Sequence, residues 1–488
     1  MSRATLMLWL PAIAQTVFVF ALGACMGSLI NVLVYRIPKG LSVVTPPSRC
    51  PSCDTRLTWR ENIPILGWLL LRGKCRFCKA KISPEYPIVE AFVACLFTLF
   101  FLLWYLVKPG TTLFGVDLGS VAPDWTANGL LRTWPAFVAL LFLAGSLVAM
   151  TIIDARTYTI PLALAWVPTL AAVLLHTANA AWFEIAHGPV HLSRPGLWFA
   201  ADHTRWVSPL NWLWTLPTPS PRDWGWIGAA ILGTLGIPVS LLLQKLGLIR
   251  HSFADYDEWE ARALAEARQN EPEAPARDET GPDSLAGASG SPEAGRGEAD
   301  DDPAHLWIQY PHARREMFIE CAFVAPIVLG FIGGFWLAPR LVTHFAGPYQ
   351  PAPAGQYGFV PPVEAPLWLT VLAGVCLGYL IGGGVVWMVR ILGSLAFGKE
   401  AMGIGDVHLM AAVGACVGWI DAVLGFFGAA FVGVAYALAS QIVGGKMKRA
   451  MPFGPFLAVA TFLVLFLRPL LEIALGVVFG SAKPIHLP

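Results

Sequence analysis

Apolar runs of about 20 residues recur along this 488-residue chain, and they constrain its fold more than any other feature. A helix of that length spans the hydrocarbon core of a lipid bilayer. Only 13% of the residues are charged and 56% are hydrophobic, which excludes an ordinary soluble domain of this size. The sequence therefore predicts an all-α polytopic membrane protein.

We expect about ten transmembrane helices. They lie near 8–35, 86–107, 134–153, 159–178, 223–247, 317–340, 366–395, 407–420, 421–443 and 453–478. The pair at 407–443 requires a very tight turn near Trp419. The first run also resembles a signal peptide with a lipoprotein cleavage box at Cys25. Since it stays apolar through Val34, we interpret it as a membrane helix.

Basic residues indicate the orientation of these helices. Residues 36–83 contain ten Lys or Arg and only two acidic residues. By the positive-inside rule this loop faces the cytoplasm. Alternation of the spans then places 154–158 and 396–406 on the cytoplasmic side and the N-terminus in the periplasm.

Residues 251–305 differ in composition from the rest of the chain. They contain fifteen Asp or Glu and four Arg, with few large apolar groups, and so cannot bury enough surface to fold. We expect a disordered acidic linker, acting as a solvated tether or as a partner-binding segment.

The predicted domains are the first transmembrane helix (1–35), a cytoplasmic zinc-binding domain (36–85), further membrane helices (86–250), the acidic cytoplasmic linker (251–316) and the last membrane helices (317–488).

Two C-x2-C pairs, CPSC and CRFC, lie 21 residues apart in the basic loop. Four thiolates held in such turns can bind Zn²⁺ tetrahedrally, at about 2.3 Å. A reducing cytoplasm disfavours structural disulfides, although redox pairs or unpaired thiols remain an alternative. With four protein ligands the zinc would be structural. The expected ligands are Cys50, Cys53, Cys75 and Cys78.

Two aspartates lie at span ends on the predicted cytoplasmic side. Asp154 ends the third span, and Asp406 begins the eighth after the Gly-x-Gly of residues 403–405. Two facing carboxyl groups can share one proton, so that one activates water and the other protonates a leaving amine. The glycines permit the close approach of a substrate strand. Alternatively both residues are interfacial, Asp406 as a helix N-cap and Asp154 as a partner of Arg156.

Helix position suggests a division of roles within this pair. Asp406, at a helix start, would be the base, and Asp154, at a helix end, the proton donor, although a coupled pair titrates as a unit. His408 would lie on the opposite side of the helix, and we interpret it as a packing residue. Glycines at every fourth position from 374 to 382 predict a helix-packing face.

Several strings, in this order, resemble the type IV prepilin peptidases, the leader peptidase/N-methyltransferase family. They are GSLINVLVYRIPKG at 27–40, the paired CPSC and CRFC, WRENIPILGWLLLRGKC at 59–75, ISPEYPIVEA at 82–91, IDARTYTIP at 153–161, GKEAMGIGDVHLMAAVGACVGW at 398–419 and PFGPFLA at 452–458. The family's GxGD motif matches Gly403, Gly405 and Asp406, and its other catalytic aspartate matches Asp154.

The resemblance implies an aspartic endopeptidase of the bacterial inner membrane. Such enzymes cleave the basic leader of type IV prepilins or type II secretion pseudopilins after a glycine, at the cytoplasmic face. Many then methylate the new N-terminus with S-adenosylmethionine, a function associated with the cysteine-bearing domain. The expected partners are these substrates and the lipid bilayer, with no nucleic acid.

The chain also departs from the family pattern. His408 stands where Lys is common, Leu162 where an acid is usual and Gly67 where Ser is frequent. Most members have eight spans, and here 179–365 inserts an extra pair together with the linker. Two alternatives therefore stay open: a peptidase without methyltransferase activity, and a proton- or cation-coupled transporter with a zinc-stabilised loop. A transporter would carry acids nearer the bilayer midplane, and often repeated halves.

Overall fold

A computed structural model of the chain describes residues 3–113, 116–194, 197–208, 224–255, 258–259, 261–263, 265, 312–351, 359–360, 362–398, 400–442 and 452–480. The helices in them are α1 (Arg3–Arg36), α2 (Leu66–Leu70), α3 (Glu85–Phe101), α4 (Leu130–Thr157), α5 (Leu162–His187), α6 (Trp224–Lys245), α7 (Ala313–Ala346), α8 (Leu367–Phe397), α9 (Ile404–Val417), α10 (Trp419–Ile442), α11 (Gly454–Phe466) and α12 (Arg468–Val478). The prediction of an all-α membrane protein is confirmed.

The strands are short and lie in the connections between helices. They are β1 (Thr112–Leu113), β2 (Val116–Asp117), β3 (Val190–Arg194), β4 (Leu197–Ala200), β5 (Arg205–Trp206), β6 (Gln350–Pro351) and β7 (Phe359–Val360). They pair antiparallel as β1-β2, β3-β4-β5 and β6-β7. All of them occur in loops predicted to face the periplasm, so they do not contribute to the site described below.

The number of full-length spans differs from the prediction of about ten. Within the described ranges eight helices are long and apolar enough to cross a membrane, or nine if α11 and α12 together form one bent span. The predicted span at 407–420 corresponds to α9, which has only 14 residues. Such a helix is about 21 Å long, shorter than a hydrocarbon core of about 30 Å.

The predicted span at 453–478 is broken by a sharp bend. The axes of α11 and α12 differ by 90°. Pro469, the second residue of α12, has no backbone N–H and also disfavours helical geometry at the preceding residue. The break therefore falls where the sequence places a proline behind a charged residue, Arg468.

Glycines allow two pairs of helices to pack with their backbones in contact. A β-carbon on Gly378 of α8 would lie 2.1 Å from the carbonyl oxygen of Gly414 on α9. Gly382 of α8 meets α9 in the same way, so the predicted glycine packing face is confirmed at these two positions. Gly228 of α6 and Gly334 of α7 form an equivalent contact.

Helix α4 lies at the centre of the bundle. In its most apolar 18-residue stretch 78% of the residues are buried, and it packs against α1, α3, α5, α9 and α11. Its position is consistent with the absence of charged residues between Thr133 and Asp154. Beside it, the ring of Phe100 on α3 stacks on Phe466 of α11 with centroids 4.3 Å apart. The last residues of α4 are therefore held from several sides.

One contact relates the basic loop to the end of α4. The Arg156 guanidinium forms an ion pair with Glu85, the first residue of α3, at 3.3 Å. Since α3 begins where the cysteine-bearing loop ends, this loop and the end of α4 lie on the same side of the bundle.

The predicted linker at 251–316 lies mostly outside the described residues. Its predicted end needs correction, because α7 already begins at Ala313.

Candidate functional site

Asp154 lies three residues before the end of α4 and is only 5% exposed. Its Oδ2 accepts a hydrogen bond from the backbone N–H of Gly454, the first residue of α11, at 3.0 Å. A β-carbon at position 454 would lie 2.6 Å from that oxygen, so the close approach requires glycine. Helix α4 ends at Tyr158, which adopts a left-handed conformation, φ 54°, and donates its N–H to the Asp154 carbonyl.

Asp406 lies in the first turn of α9 and is 6% exposed. Gly403, in an extended conformation, is the N-cap residue, and its carbonyl accepts the Asp406 N–H at 3.2 Å. A β-carbon on Gly403 would lie 3.5 Å from Asp406 Oδ2. A side chain at position 403 would therefore lie in contact with the Asp406 carboxylate.

Ile160 connects the surroundings of the two aspartates. Its Cβ would be 2.6 Å from a β-carbon on Gly405, and its Cδ1 would be 3.1 Å from one on Gly454. Gly405 directly precedes Asp406 in the sequence, and the Gly454 N–H donates the hydrogen bond to the Asp154 carboxylate. The charge of Asp154 also acts on the Asp406 carboxyl group. The structure thus brings together two carboxylates separated by 252 residues in sequence.

The residues around this pair include a buried arginine that the sequence analysis did not single out. Arg390 of α8, 2% exposed, makes an ion pair with Glu320 of α7, with Nη2 and Oε1 2.8 Å apart. Its Nη1 also donates to Glu400 and to the Met402 carbonyl, in the loop before Asp406. A charged residue inside each of two predicted spans was the signal that could have revealed this pair.

A cavity of about 250 Å³ lies beside this network. Its lining residues are Ser252, Phe253, Glu320, Arg390, Glu400 and Ile404. Ile404 begins α9, so the cavity reaches the start of the helix that carries Asp406. The predicted packing residue His408 lies on another side, where its Nδ1 is 3.5 Å from the Tyr379 hydroxyl.

The four cysteines of the basic loop form one cluster. The sulfur atoms of Cys50, Cys53, Cys75 and Cys78 all lie within 4.8 Å of one another, and those of Cys50 and Cys78 are 3.8 Å apart. Tetrahedral zinc with bonds of about 2.3 Å requires sulfurs about 3.8 Å apart. The cluster can therefore hold a metal ion, and its geometry and ligand type fit zinc.

The two knuckles have the same local fold, which explains why the cluster forms. In each knuckle the fifth residue donates its N–H to the carbonyl of the first cysteine, Asp54 to Cys50 and Lys79 to Cys75. Asp54 and Lys79 both adopt positive φ angles, near 52° and 60°. Such a turn directs both thiols of a pair to one side.

Local hydrogen bonds favour the ionised form of two of the thiols, whereas desolvation and the neighbouring thiols raise the pKa of Cys78 to about 11. The Thr55 hydroxyl, 3.3 Å from the Cys53 sulfur, lowers the pKa of this thiol to about 6. Backbone N–H groups of Cys78 and Phe77 lower the pKa of Cys75. Because the thiolate is the metal ligand, both effects favour metal binding.

Hydrogen bonds attach this cysteine-bearing loop to the bundle. The Glu90 carboxylate of α3 accepts the N–H of Ile65 at 2.6 Å. At the other end Arg36, the last residue of α1, donates to the carbonyls of Ser42 and Pro46. The loop is thus fixed to both helices that flank it.

Comparison with known protein families gives one match, to the bacterial peptidase A24 N-terminal domain over residues 21–104. That stretch contains α1 from its middle onward, the cysteine-bearing loop and α3. No solved structure matches the chain.

Curated relatives extend this similarity. A prepilin leader peptidase/N-methyltransferase of Myxococcus xanthus is 52% identical over 81 residues, 17% of this chain and 24% of the relative. One of Klebsiella pneumoniae is 33% identical over 179 residues, 36% of this chain and 66% of the relative. A type 4 prepilin-like proteins leader peptide-processing enzyme of Escherichia coli is 38% identical over 100 residues, which are 17% of this chain and 37% of the relative. The chain thus spans less than two thirds of each of these relatives, and the resemblance indicated by the motifs is confirmed.

Proposed function

From its likeness to the prepilin leader peptidase/N-methyltransferases, we infer that this chain is a membrane-embedded aspartic endopeptidase. Its substrates would be prepilins or pseudopilins, which carry a basic leader ahead of an apolar helix. The observation that carries the proposal is the meeting of Asp154 and Asp406, two buried carboxylates on different helices. Buried paired carboxylates are costly for a fold, so a chemical role is the better account of them.

The pair can hydrolyse a peptide bond without any other reactive group. One carboxylate removes a proton from water, whose oxygen attacks the carbonyl carbon of the scissile bond. The protonated partner then gives its proton to the leaving nitrogen, and the peptide bond breaks. Because two neighbouring carboxyl groups titrate as a coupled pair, we treat Asp154 and Asp406 as one unit that shares a proton.

The orientation of the molecule would bring such a substrate to the pair. The ten basic residues of 36–83 favour a cytoplasmic position for this loop, and Arg156 bonded to Glu85 ties the Asp154 end of α4 to the same side. We therefore propose a multi-pass protein of the bacterial inner membrane with both aspartates near the cytoplasmic face. A leader that emerges from the membrane on that side would reach them first.

Cleavage of a prepilin by purified, reconstituted protein tests the proposal. We expect Asp154→Asn and Asp406→Asn each to lower the cleavage rate by at least about a hundredfold, because each removes a proton acceptor or donor. Asp421→Asn is the matched control. Asp421 is also a buried aspartate in the first turn of a helix, α10, but it follows the far end of α9.

Cleavage that persists in either variant, with Asp421→Asn equally active, would contradict the dyad. The transporter alternative would then have to be tested by proton flux in vesicles. The structure gives that alternative little support, since both aspartates lie near helix ends rather than mid-helix.

We propose methyl transfer to the new N-terminus as a second activity, because the relatives' names include N-methyltransferase. S-adenosylmethionine would supply the methyl group. Beside the cysteine-bearing loop lies a cavity of about 490 Å³, lined by Trp68 with Arg72, Lys74 and Lys81 among others. Such a basic lining repels a sulfonium cation, so among the described residues we assign none to this donor.

Methyl transfer can be tested apart from cleavage. Asp154→Asn, given a pilin whose leader has already been removed, is expected to transfer labelled methyl groups at the wild-type rate. An absence of transfer by the wild-type protein would instead favour a peptidase without this activity.

We also propose that the metal is zinc and that it is structural, because all four ligands come from the protein.

A further inference from the structure

The Arg390 guanidinium holds an ion-pair network at the junction of three elements. Its Nε lies 3.0 Å from both carboxylate oxygens of Glu320, and its Nη2 lies 2.8 Å from Oε1. The indole N–H of Trp387, one turn earlier on α8, donates to the same carboxylate at 2.9 Å. Arg390 is 2% exposed and Glu320 is 3% exposed. Two charges buried this deeply persist only when their hydrogen bonds are satisfied, as they are here.

The remaining donor of this guanidinium points at the loop before Asp406. Nη1 donates to the Glu400 carboxylate and to the Met402 carbonyl. Between them, the N–H of Ala401 donates to the Ser394 hydroxyl of α8 at 3.0 Å. Three consecutive residues are thus fixed to one face of α8 directly before Gly403.

The counter-ion of this arginine comes from outside the regions that resemble the peptidase family. Glu320 lies on α7, which carries none of the matching strings and falls within the segment 179–365 that the resemblance marks as an insertion. Helix α7 packs against α6 through the Gly228–Gly334 contact and reaches α8 beside Trp387, where Phe323 lies against the indole. The additional helix pair therefore contacts the support of the candidate active site.

We propose that Arg390 is a positioning residue for peptide hydrolysis, and that Glu320 of the additional helix α7 fixes its guanidinium. This inference rests on the proposed function. The guanidinium sets the path of residues 400–402 and so the position of Asp406 relative to Asp154. Lysine cannot replace it, because one ammonium group cannot make a bidentate pair with Glu320 and also reach Glu400 and the Met402 carbonyl.

The expected effect is on the chemical step rather than on substrate binding. Displacing a catalytic group by about 1 Å costs about a hundredfold in rate. We expect Arg390→Lys to lower kcat for prepilin cleavage by at least about tenfold and to leave KM within about twofold. Glu320→Gln keeps the shape of the side chain and an acceptor for Trp387 but removes the charge. It is expected to lower kcat by a smaller factor.

A double-mutant cycle tests whether Glu320 acts through Arg390. In the Arg390→Lys background, Glu320→Gln is expected to cause little further loss of kcat, whereas independent effects would multiply. Glu184→Gln is the matched control. Glu184 of α5 accepts the N–H of Leu367, the first residue of α8, so this variant weakens the packing of the same helix at its other end. Its kcat is expected to equal that of the wild type.

Three results would overturn the inference: unchanged kcat in Arg390→Lys, a loss confined to KM, or an equal loss in Glu184→Gln. If neither charge variant folds, Ser394→Ala provides the test, because it removes only the hydroxyl that accepts the Ala401 N–H. A lower kcat with unchanged KM in this variant supports positioning of the loop. An unchanged kcat contradicts it. If Arg390→Lys has the wild-type kcat and cleavage still requires Asp154 and Asp406, this inference is refuted but the proposed function is not. Cleavage that needs neither aspartate would refute the proposed function.

Discussion

At the scale of single residues, three positions without bulky side chains control how closely the two aspartates approach. Gly454 lets the start of α11 reach the Asp154 carboxylate, Gly405 makes room for Ile160, and a β-carbon on Gly403 would lie 3.5 Å from the Asp406 carboxylate. Each glycine lies at a helix start, where a β-carbon would meet a specific neighbour. The candidate site is therefore sensitive to the addition of one methyl group.

Replacement of Gly454 by alanine tests this sensitivity. The added methyl group would lie 2.6 Å from Asp154 Oδ2 and 3.1 Å from Ile160 Cδ1, so either the carboxylate or α11 must move. We expect kcat for prepilin cleavage to fall by at least about tenfold. Gly428→Ala on α10 is the control, because its methyl group would meet only Ala460, at an ordinary 3.5 Å. Equal activity of the two variants would contradict the argument.

The two aspartates could be predicted from the sequence, whereas the pairing of Arg390 with Glu320 could not, although each is a charged residue inside a predicted span. Asp154 and Asp406 were found because few acids stand at span ends and because counting spans placed both on one side. Arg390 and Glu320 lie inside predicted spans 70 residues apart, and their pairing depends on which helices are neighbours. Alternation of spans gives the side of the membrane but not the order of helices in the bundle.

At the scale of elements, the cysteine-bearing loop is small and leaves large apolar side chains such as Val44, Trp59 and Leu70 exposed. Its side chains form local bonds, such as the Glu61 carboxylate with Arg76 at 2.7 Å and the Trp68 indole N–H with the Ile82 carbonyl at 3.1 Å. A metal ion bound by the four thiolates would join its two halves. For loops of this kind metal binding supplies much of the folding free energy.

Metal analysis after purification without added zinc tests this element. We expect about one zinc per chain in the wild type and well under half in Cys75→Ser, since three ligands bind zinc less tightly. The loop of that variant should also be cut faster by protease. Cys95→Ser on α3 is the control, because this cysteine lies outside the cluster. Zinc below half an equivalent in the wild type, unaffected by Cys75→Ser, would contradict the proposed metal.

The boundaries of the elements show which local sequence signals are sufficient to predict a turn or a helix end. The knuckles were predicted because their turns depend only on neighbouring residues. The break between α11 and α12 was missed although Pro469 stood in the predicted span, because apolar length was given more weight than a helix-breaking residue. Helix α9 is short since Gly418, with φ 102°, ends it three residues before Asp421.

At the scale of the whole molecule, the contacts agree with one orientation of the chain. The end of α1, the cysteine-bearing loop, the start of α3 and the Asp154 end of α4 share one side of the bundle. Helix α9 packs antiparallel to α8, with Gly414 beside Gly378 and Met410 beside Gly382, so it runs away from the Asp406 side. The alternation of loops across the membrane stays a prediction.

Accessibility of inserted epitope tags tests the orientation. A tag at the N-terminus is expected to be removed by protease added to spheroplasts, because that end would face the periplasm. A tag inserted after Gly40, in an open turn of the basic loop, is expected to stay intact until the membrane is broken. The reverse pattern would place both aspartates at the periplasmic face and would contradict leader cleavage in the cytoplasm.

Helix α7 has a further consequence for the molecule in its membrane. Only 6% of the residues in its most apolar stretch are buried, so little of this helix is enclosed by the rest of the protein. It has 34 residues, about 51 Å of helix, which exceeds a hydrocarbon core of about 30 Å, so it either extends beyond that core at its charged first turn or tilts within it. Its tilt then depends on bilayer thickness. Since the same helix carries Glu320, we expect a change of bilayer thickness to shift this carboxylate and, through Arg390, the loop before Asp406.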